Sequence, residues 1–296
     1  MATNNFQDGV LCVLHVGRWS GAKKLEPSDL GLSAQEIPDF MRLGKKLLIP
    51  KEERNQFVQI EQNSRNALDR ESFPFPVGGA RFIPRNRLLK ADAELANYRT
   101  EYERATESFM ERYEEIRDKM LETYPEHRDK LEPYYPASHW VRRSFSFSWN
   151  VFEIGVMGIR EGETAEAYER FRNDLQTQFD KFLEEVVIDL RYQVQETCGK
   201  LAKRVETGEI VTEQNIKAIK NVIQKFDNLN FVGDVKIENQ LSALRSQLNG
   251  TSAKDLKDNE SLNASLGAIA ADIAKAAADI SDLSEITGGY KRRLEI

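Results

Sequence analysis

Between Pro84 and Pro125 the apolar residues recur about every 3.6 positions, the period of one helical face. Leu88, Ala91, Leu95, Tyr98, Tyr102, Ala105, Phe109, Tyr113, Ile116, Met120 and Tyr124 make up that stripe, with charged residues between them. Pro84 suits a first turn and Pro125 a stop, so the spacing predicts a straight helix roughly 57 Å long at about 1.5 Å per residue. A second long helix is predicted from Thr164 to Glu206, with a stripe running from Tyr168 through Phe179, Val186, Val194 and Cys198 to Val205. Its spacing, about 3.7 residues, lies nearer an eleven-residue repeat than a heptad and predicts near-straight packing against a partner helix. Gly208 is placed to end it.

Three shorter helices are predicted after it. Thr212 caps a stretch carrying Ile216, Ile219, Ile223, Phe226 and Leu229, and a second runs from Ile237 to Leu248, closed by Gly250. The third spans Glu260 to Ser284, with alanines beside its apolar stripe, a face that lets another helix come close. Gly288-Gly289 then reads as a hinge before a short basic and apolar arm. The first eighty residues are the least regular. Pro27, Gly31, Pro38 and Pro50 break them into turns, Lys51 to Arg70 reads as a helix, and Phe73-Pro74-Phe75-Pro76 reads as its stop.

The periodicity changes from helix to strand at Ser144-Phe145-Ser146-Phe147-Ser148-Trp149. Phe145, Phe147, Trp149 and Val151 fall on one face by period two, and Ser146, Ser148 and Asn150 fall on the other, before Phe152 and Ile154 switch sides. Such a strand needs a cover and a neighbour. Val10 to Trp19 is the other convincing strand and is expected to pair with it, and Val156 to Arg160 is a candidate third. The fold class predicted is mainly α with a small antiparallel β-sheet, long antiparallel helices and a helical C-terminal part. The divisions expected are 1–160, 161–208, 209–287 and a flexible tail at 288–296.

Charge and composition narrow the chemistry. The formal net charge is −6 with 30% charged residues, so no global field draws the chain to nucleic acid or anionic lipid. The apolar run Val10 to Val16 is too short to span a membrane and has no basic residue before it, which predicts a cytoplasmic protein without a membrane segment. Cys12 and Cys198 lie far apart without metal-ligand spacing, and read as buried thiols; His15 on the apolar strand reads as a core histidine. Gly17 to Lys24 has glycines before lysines, but its spacing is wrong for a phosphate loop and it reads as a tight turn. Arg143 to Trp149 echoes the aromatic strand of an RNA-recognition sheet, with Arg142 and Arg143 as phosphate contacts, yet no second aromatic strand accompanies it. No catalytic, cofactor-binding or metal-binding residue is identified, so the protein is not expected to be an enzyme.

Trp19-Ser20-Gly21-Ala22-Lys23-Lys24-Leu25, Asp29-Leu30-Gly31, Leu43-Gly44-Lys45-Lys46, Gly79-Ala80-Arg81-Phe82-Ile83-Pro84 and the Ser144 to Ile154 strand together carry a resemblance. The chain resembles a family of uncharacterised bacterial and phage proteins whose genes often accompany MoxR-type or cobaltochelatase-type AAA+ ATPases and von Willebrand factor A proteins. The resemblance implies such an ATPase and a von Willebrand factor A protein as partners, and brings no active site with it. The function expected is a non-enzymatic helical adaptor or scaffold. A self-assembling filament, tube or shell and a nucleic-acid binder are the alternatives, the last disfavoured by charge. For self-assembly the contact residues are Tyr290, Arg292, Arg293, Leu294 and Ile296, on the arm after the hinge; Phe145, Phe147 and Trp149 are the expected sheet core.

Overall fold

The computed structural model describes residues 8–33, 37–38, 42–153 and 165–294. Over these the protein is mainly α-helical with a small antiparallel sheet. The elements run β1 (Gly9–Gly17), β2 (Ala22–Lys24), β3 (Lys45–Leu47), α1 (Lys51–Arg70), β4 (Phe73–Pro74), β5 (Arg81–Pro84) and α2 (Arg85–Thr123). They continue with α3 (Arg128–Leu131), α4 (Ser138–Arg143), β6 (Ser146–Phe152), α5 (Ala165–Glu206), α6 (Glu213–Leu229), α7 (Val235–Leu248), α8 (Ala253–Asp258), α9 (Glu260–Ala278) and α10 (Leu283–Leu294). The larger sheet has the order β4-β5-β1-β6, and β2 pairs with β3 in a separate ribbon. The chain forms two compact units, one of Met1–Leu11, Arg70–Leu88 and Val151–Ile296, the other of Cys12–Asp69 and Leu89–Asn150.

In the first unit α5 packs along α9, with α6 against α5 and α7 against α9. The two axes are antiparallel, since Gly267 meets Val205 while Gly199, further back along α5, meets Ala274, further along α9. The alanine-rich face of α9 does what its residue sizes allow: Gly267, Ala270 and Ala277 are buried, with Leu266 and Ile273 beside them. Thr212 caps α6 through a reciprocal pairing with Asn215, as the sequence predicts. The segment read as a stop is instead a hairpin. Phe73 lies opposite Phe82 across β4 and β5, Gly78 and Gly79 turn the chain at φ of +50° and +76°, and Pro74 is tolerated because β4 is an edge strand. The hairpin brings Phe75 and Phe82 onto Phe182 of α5, with ring centroids 5.0 and 5.2 Å apart.

In the second unit the core is aromatic. Phe57 of α1 meets Tyr102 and Phe109 of α2 and Phe145 at 5.5, 5.9 and 4.8 Å. Tyrosines bury their rings here while their hydroxyls donate to main-chain carbonyls: Tyr102 to Gly17 at 2.6 Å, Tyr113 to Pro136 at 2.7 Å and Tyr135 to Leu48 at 2.6 Å. Burial raises all three phenol pKa values, those of Tyr113 and Tyr135 to about 12.

Three expectations change. Val10, Cys12 and Leu14 face inward, so period two turns His15 to the exposed side of β1 and it is not a core histidine. Val151 is exposed, so the inward face of β6 ends before it; Ile154 and Val156 to Arg160 lie outside the described residues. The last predicted helix is two, because the chain leaves α9 at Asp279 and re-enters a helix at Leu283, and Gly288-Gly289 lies within α10.

The α5–α9 approach gives a test. A Cβ on Gly267 would sit 2.5 Å from Val205 Cγ1 and 2.7 Å from its Cβ, and a β-branched side chain cannot swing clear. Gly267→Ala is expected to destabilise the protein by about 1–3 kcal/mol despite its better helix propensity. Adding Val205→Ala to that variant should recover most of the loss. Urea unfolding of the two single variants and the double variant measures the coupling.

Candidate functional site

Arg191 is the most deeply buried charged side chain described, 1% exposed, and it sits on the inner face of α5 between Leu190 and Val194. A guanidinium has five N–H donors in a fixed fork, and burial requires each to find an acceptor. Its Nε and Nη2 donate to the two carboxylate oxygens of Asp234 at 2.6 and 3.1 Å. Its Nη1 and Nη2 donate to Asp282 at 2.7 and 3.1 Å, and Nη1 also donates to the Asp279 carbonyl. Asp234 in turn caps α7, accepting from the Ile237 amide at 3.3 Å, and its own amide donates to Asn230 Oδ1 at 2.8 Å. Lys236 bridges Asp279 and Asp282, at 3.4 Å from each. One side chain of α5 therefore fixes the α6–α7 turn and the α9–α10 connector together.

The protonation states follow from these contacts. Burial alone would lower the Arg191 pKa, but hydrogen bonds to Asp234 and Asp282 outweigh it and leave it raised. Hydrogen bonds from Ser281 and Lys236 bring Asp279 down to about 2, and the bond from Arg191 lowers Asp282. An open cavity of about 530 Å³ adjoins the cluster, lined by Asp234, Lys236, Asp282, Glu285, Gly289 and Tyr290 among others. Asp279 and Asp282 stay ionised and are bound to cations, so neither is poised as a general acid at neutral pH. The arrangement is a clasp.

The thiols are equally unavailable. Burial pushes Cys12 up to about 11 and Cys198 up to about 12, which keeps both protonated and unreactive at neutral pH. Among the described residues no group of three or more His, Cys, Asp or Glu side chains is placed to hold a metal ion. No described helix is long and apolar enough to cross a membrane.

Phe145, Phe147 and Trp149 are occupied in the second unit. Phe147 is buried against Tyr102 at 5.6 Å, and Phe145 packs on Phe57. Trp149 donates its indole N–H to Asp92 at 3.0 Å, and the Arg99 guanidinium lies 5.0 Å from its ring centroid. The exposed side of the strand carries Ser146, Ser148 and Asn150 with a single ring, Phe152, at its end, so it offers no row of stacking rings. A different tryptophan is free. Short helix α4 is anchored by Val141, fully buried, and Trp140 beside it points out, 56% exposed. His139 lies 5.1 Å from the Trp140 ring and the Arg143 guanidinium 5.3 Å, while Arg142 pairs with Glu107 at 2.6 Å. Sequence reasoning passed over Trp140, whose only signal was a bulky aromatic between a histidine and two arginines.

Of the residues expected on a C-terminal arm, Tyr290 is 1% exposed, its ring 5.5 Å from Phe231. It is part of the fold of its own chain. Arg292, Arg293 and Leu294 continue α10, and Ile296 lies outside the described residues.

Two measurements test the clasp. Arg191→Met leaves Asp234 buried without its countercharge and is expected to cost about 3–5 kcal/mol in chemical denaturation, since removing one partner of a buried pair strands the other. Folded-state pKa values of Asp279 and Asp282 lie below the ordinary 3.8, so their contribution is complete above about pH 4 and is lost as pH falls through the folded values, about 2 for Asp279. The melting temperature of the native protein should drop over that window, and Arg191→Met should remove the part of the drop due to Asp282 while leaving that of Asp279, whose partners are Ser281 and Lys236.

No curated protein and no solved structure matches the chain. The match that is found is to a family described as protein of unknown function (DUF3150), and it covers residues 6–279, through the whole of α9 and up to the clasp connector. The chain belongs to the DUF3150 family.

Proposed function

We propose that the protein is a non-enzymatic helical interaction protein, an adaptor or scaffold whose partner is a MoxR-type AAA+ ATPase. The observation that carries the reading is Trp140, an indole held out to solvent on an anchored helix with a histidine and an arginine against it. Tryptophan and arginine are the residues most enriched where binding energy concentrates at protein interfaces. An exposed tryptophan preorganised by its neighbours loses little freedom on docking.

The titratable groups support the same reading from the other side. The buried arginine and its aspartates hold connectors together, both thiols are suppressed, and Phe147 fills a core. The ATPase enters through the resemblance carried by Trp19 to Leu25, Asp29 to Gly31, Leu43 to Lys46, Gly79 to Pro84 and the Ser144 to Ile154 strand, and a von Willebrand factor A protein is the further partner it brings.

The test is co-purification with a cognate MoxR-type ATPase, together with the steady-state ATPase rate. The native protein should bind and change the rate, and Trp140→Ala should weaken binding by about 2 kcal/mol or more, roughly 30-fold in Kd, with the melting temperature unchanged. A native protein that neither binds nor alters the rate contradicts the proposal.

A further inference from the structure

Two lysine pairs, Lys23-Lys24 and Lys45-Lys46, come together in the ribbon of β2 and β3, where Lys23 lies opposite Lys46 and Lys24 opposite Lys45. The ladder fixes which of these pairs is close. The Leu25 amide donates to Gly44 at 3.0 Å and the Leu48 amide to Gly21 at 2.8 Å, so positions 25/44 and 21/48 are hydrogen-bonded pairs. Alternation then makes 23/46 hydrogen-bonded and 24/45 not, and side chains approach most closely across a pair of the second kind. Lys46 is neutralised, its amine 2.8 Å from both oxygens of Asp29 and over the ring of Tyr134. Lys24 and Lys45 are exposed and have no ion-pair partner among the described residues. Two like charges directly opposite in the closest register destabilise a ribbon of only three pairs, itself a marginal element. A ribbon that keeps them is built to receive an anion.

We infer that the Lys24–Lys45 pair is a docking site for an acidic, extended segment of a protein partner. Leu47 lies on the same face by register and is exposed, which gives an apolar contact beside the two amines. The main-chain groups of Lys24 and Lys45 point away from each other to the ribbon's two edges, and among the described residues no further strand pairs there, so a partner strand can add to it. Nucleic acid fits less well. Two amines on one face neutralise about two phosphates, a weak hold for a chain of net charge −6. The inference deepens the interaction-protein reading and rests on it, and it gives Lys24 and Lys45 a role in binding, whereas Lys46 serves the fold through Asp29.

The experiment is fluorescence anisotropy with a labelled dodecapeptide of alternating glutamate and valine, and with a single-stranded DNA dodecamer, at low salt. The native protein is expected to prefer the peptide, and K24E/K45E to weaken peptide binding at least tenfold. The single variant K45E supplies a second readout: it exchanges repulsion for a cross-strand ion pair, so it should weaken binding while holding or raising the melting temperature. Absence of peptide binding, binding indifferent to both lysines, or tighter binding of the DNA overturns the inference. Lysines that merely guard the ribbon's edges from aggregation give the indifferent result. If K24E/K45E still binds the ATPase like the native protein, this site fails while the proposed function stands; if the native protein ignores the ATPase, the proposed function fails whatever the peptide does.

Discussion

Arg191 occupies a position on α5 where leucine would serve the packing, and the order of the C-terminal half depends on what it holds instead. Its donors are accepted by Asp234, Asp282 and the Asp279 carbonyl, which belong to two separate connectors. The α6–α7 turn also buries Val232 and packs Phe231 on Phe82, whereas the one large apolar side chain of the α9–α10 connector, Ile280, is half exposed. The α6–α7 turn contributes a cap aspartate, and the α9–α10 connector contributes a carboxylate and a carbonyl. A buried guanidinium tolerates no arrangement that leaves one of these away, so it selects a single path for both. Once the connectors are fixed, α9 lies along α5 and Tyr290 of α10 reaches Phe231.

The long helices were legible because burial repeats with the helical period over many turns. The predicted bounds of the helix after Pro84 and of the Lys51 to Arg70 helix correspond to α2 and α1. The short strands were not legible, for a physical reason: two or three residues give no alternation to count, and proline in Phe73-Pro74 signals a stop more strongly than an edge strand. Gly288-Gly289 misled in the opposite direction. Two glycines cost a helix about 2 kcal/mol relative to alanine, but Tyr290 packed on Phe231 and Thr287 bonded to the Leu283 carbonyl at 3.0 Å keep the segment helical. The clasp was half visible. A charged residue next to the buried stripe at Leu190 and Val194 was a signal in the sequence, while its partners, 43 and 91 residues away, left no local trace.

The same economy shapes the surface. The buried arginine with its aspartates, both thiols and the buried tyrosines are engaged in holding the fold, whereas Trp140 and the Lys24–Lys45 pair are arranged at a cost that the fold does not return. An exposed indole forgoes the burial its area invites, and paired lysines repel across the ribbon. Features that lower stability without a structural return are where binding is to be sought, and here they call for an apolar contact and an acidic one. Both fit the proposed role in protein recognition.

The central claim is that the C-terminal helices form one unit with α5, closed by a buried charge, with α10 as an integral part. Hydrogen–deuterium exchange of the native protein, read by mass spectrometry peptide by peptide, tests it most directly. The account predicts that amides of α10 and of the end of α9 are protected and open together with those of α5 around Arg191. Exchange of residues 283–294 at the rate of an unstructured peptide, with α5 still protected, would contradict it.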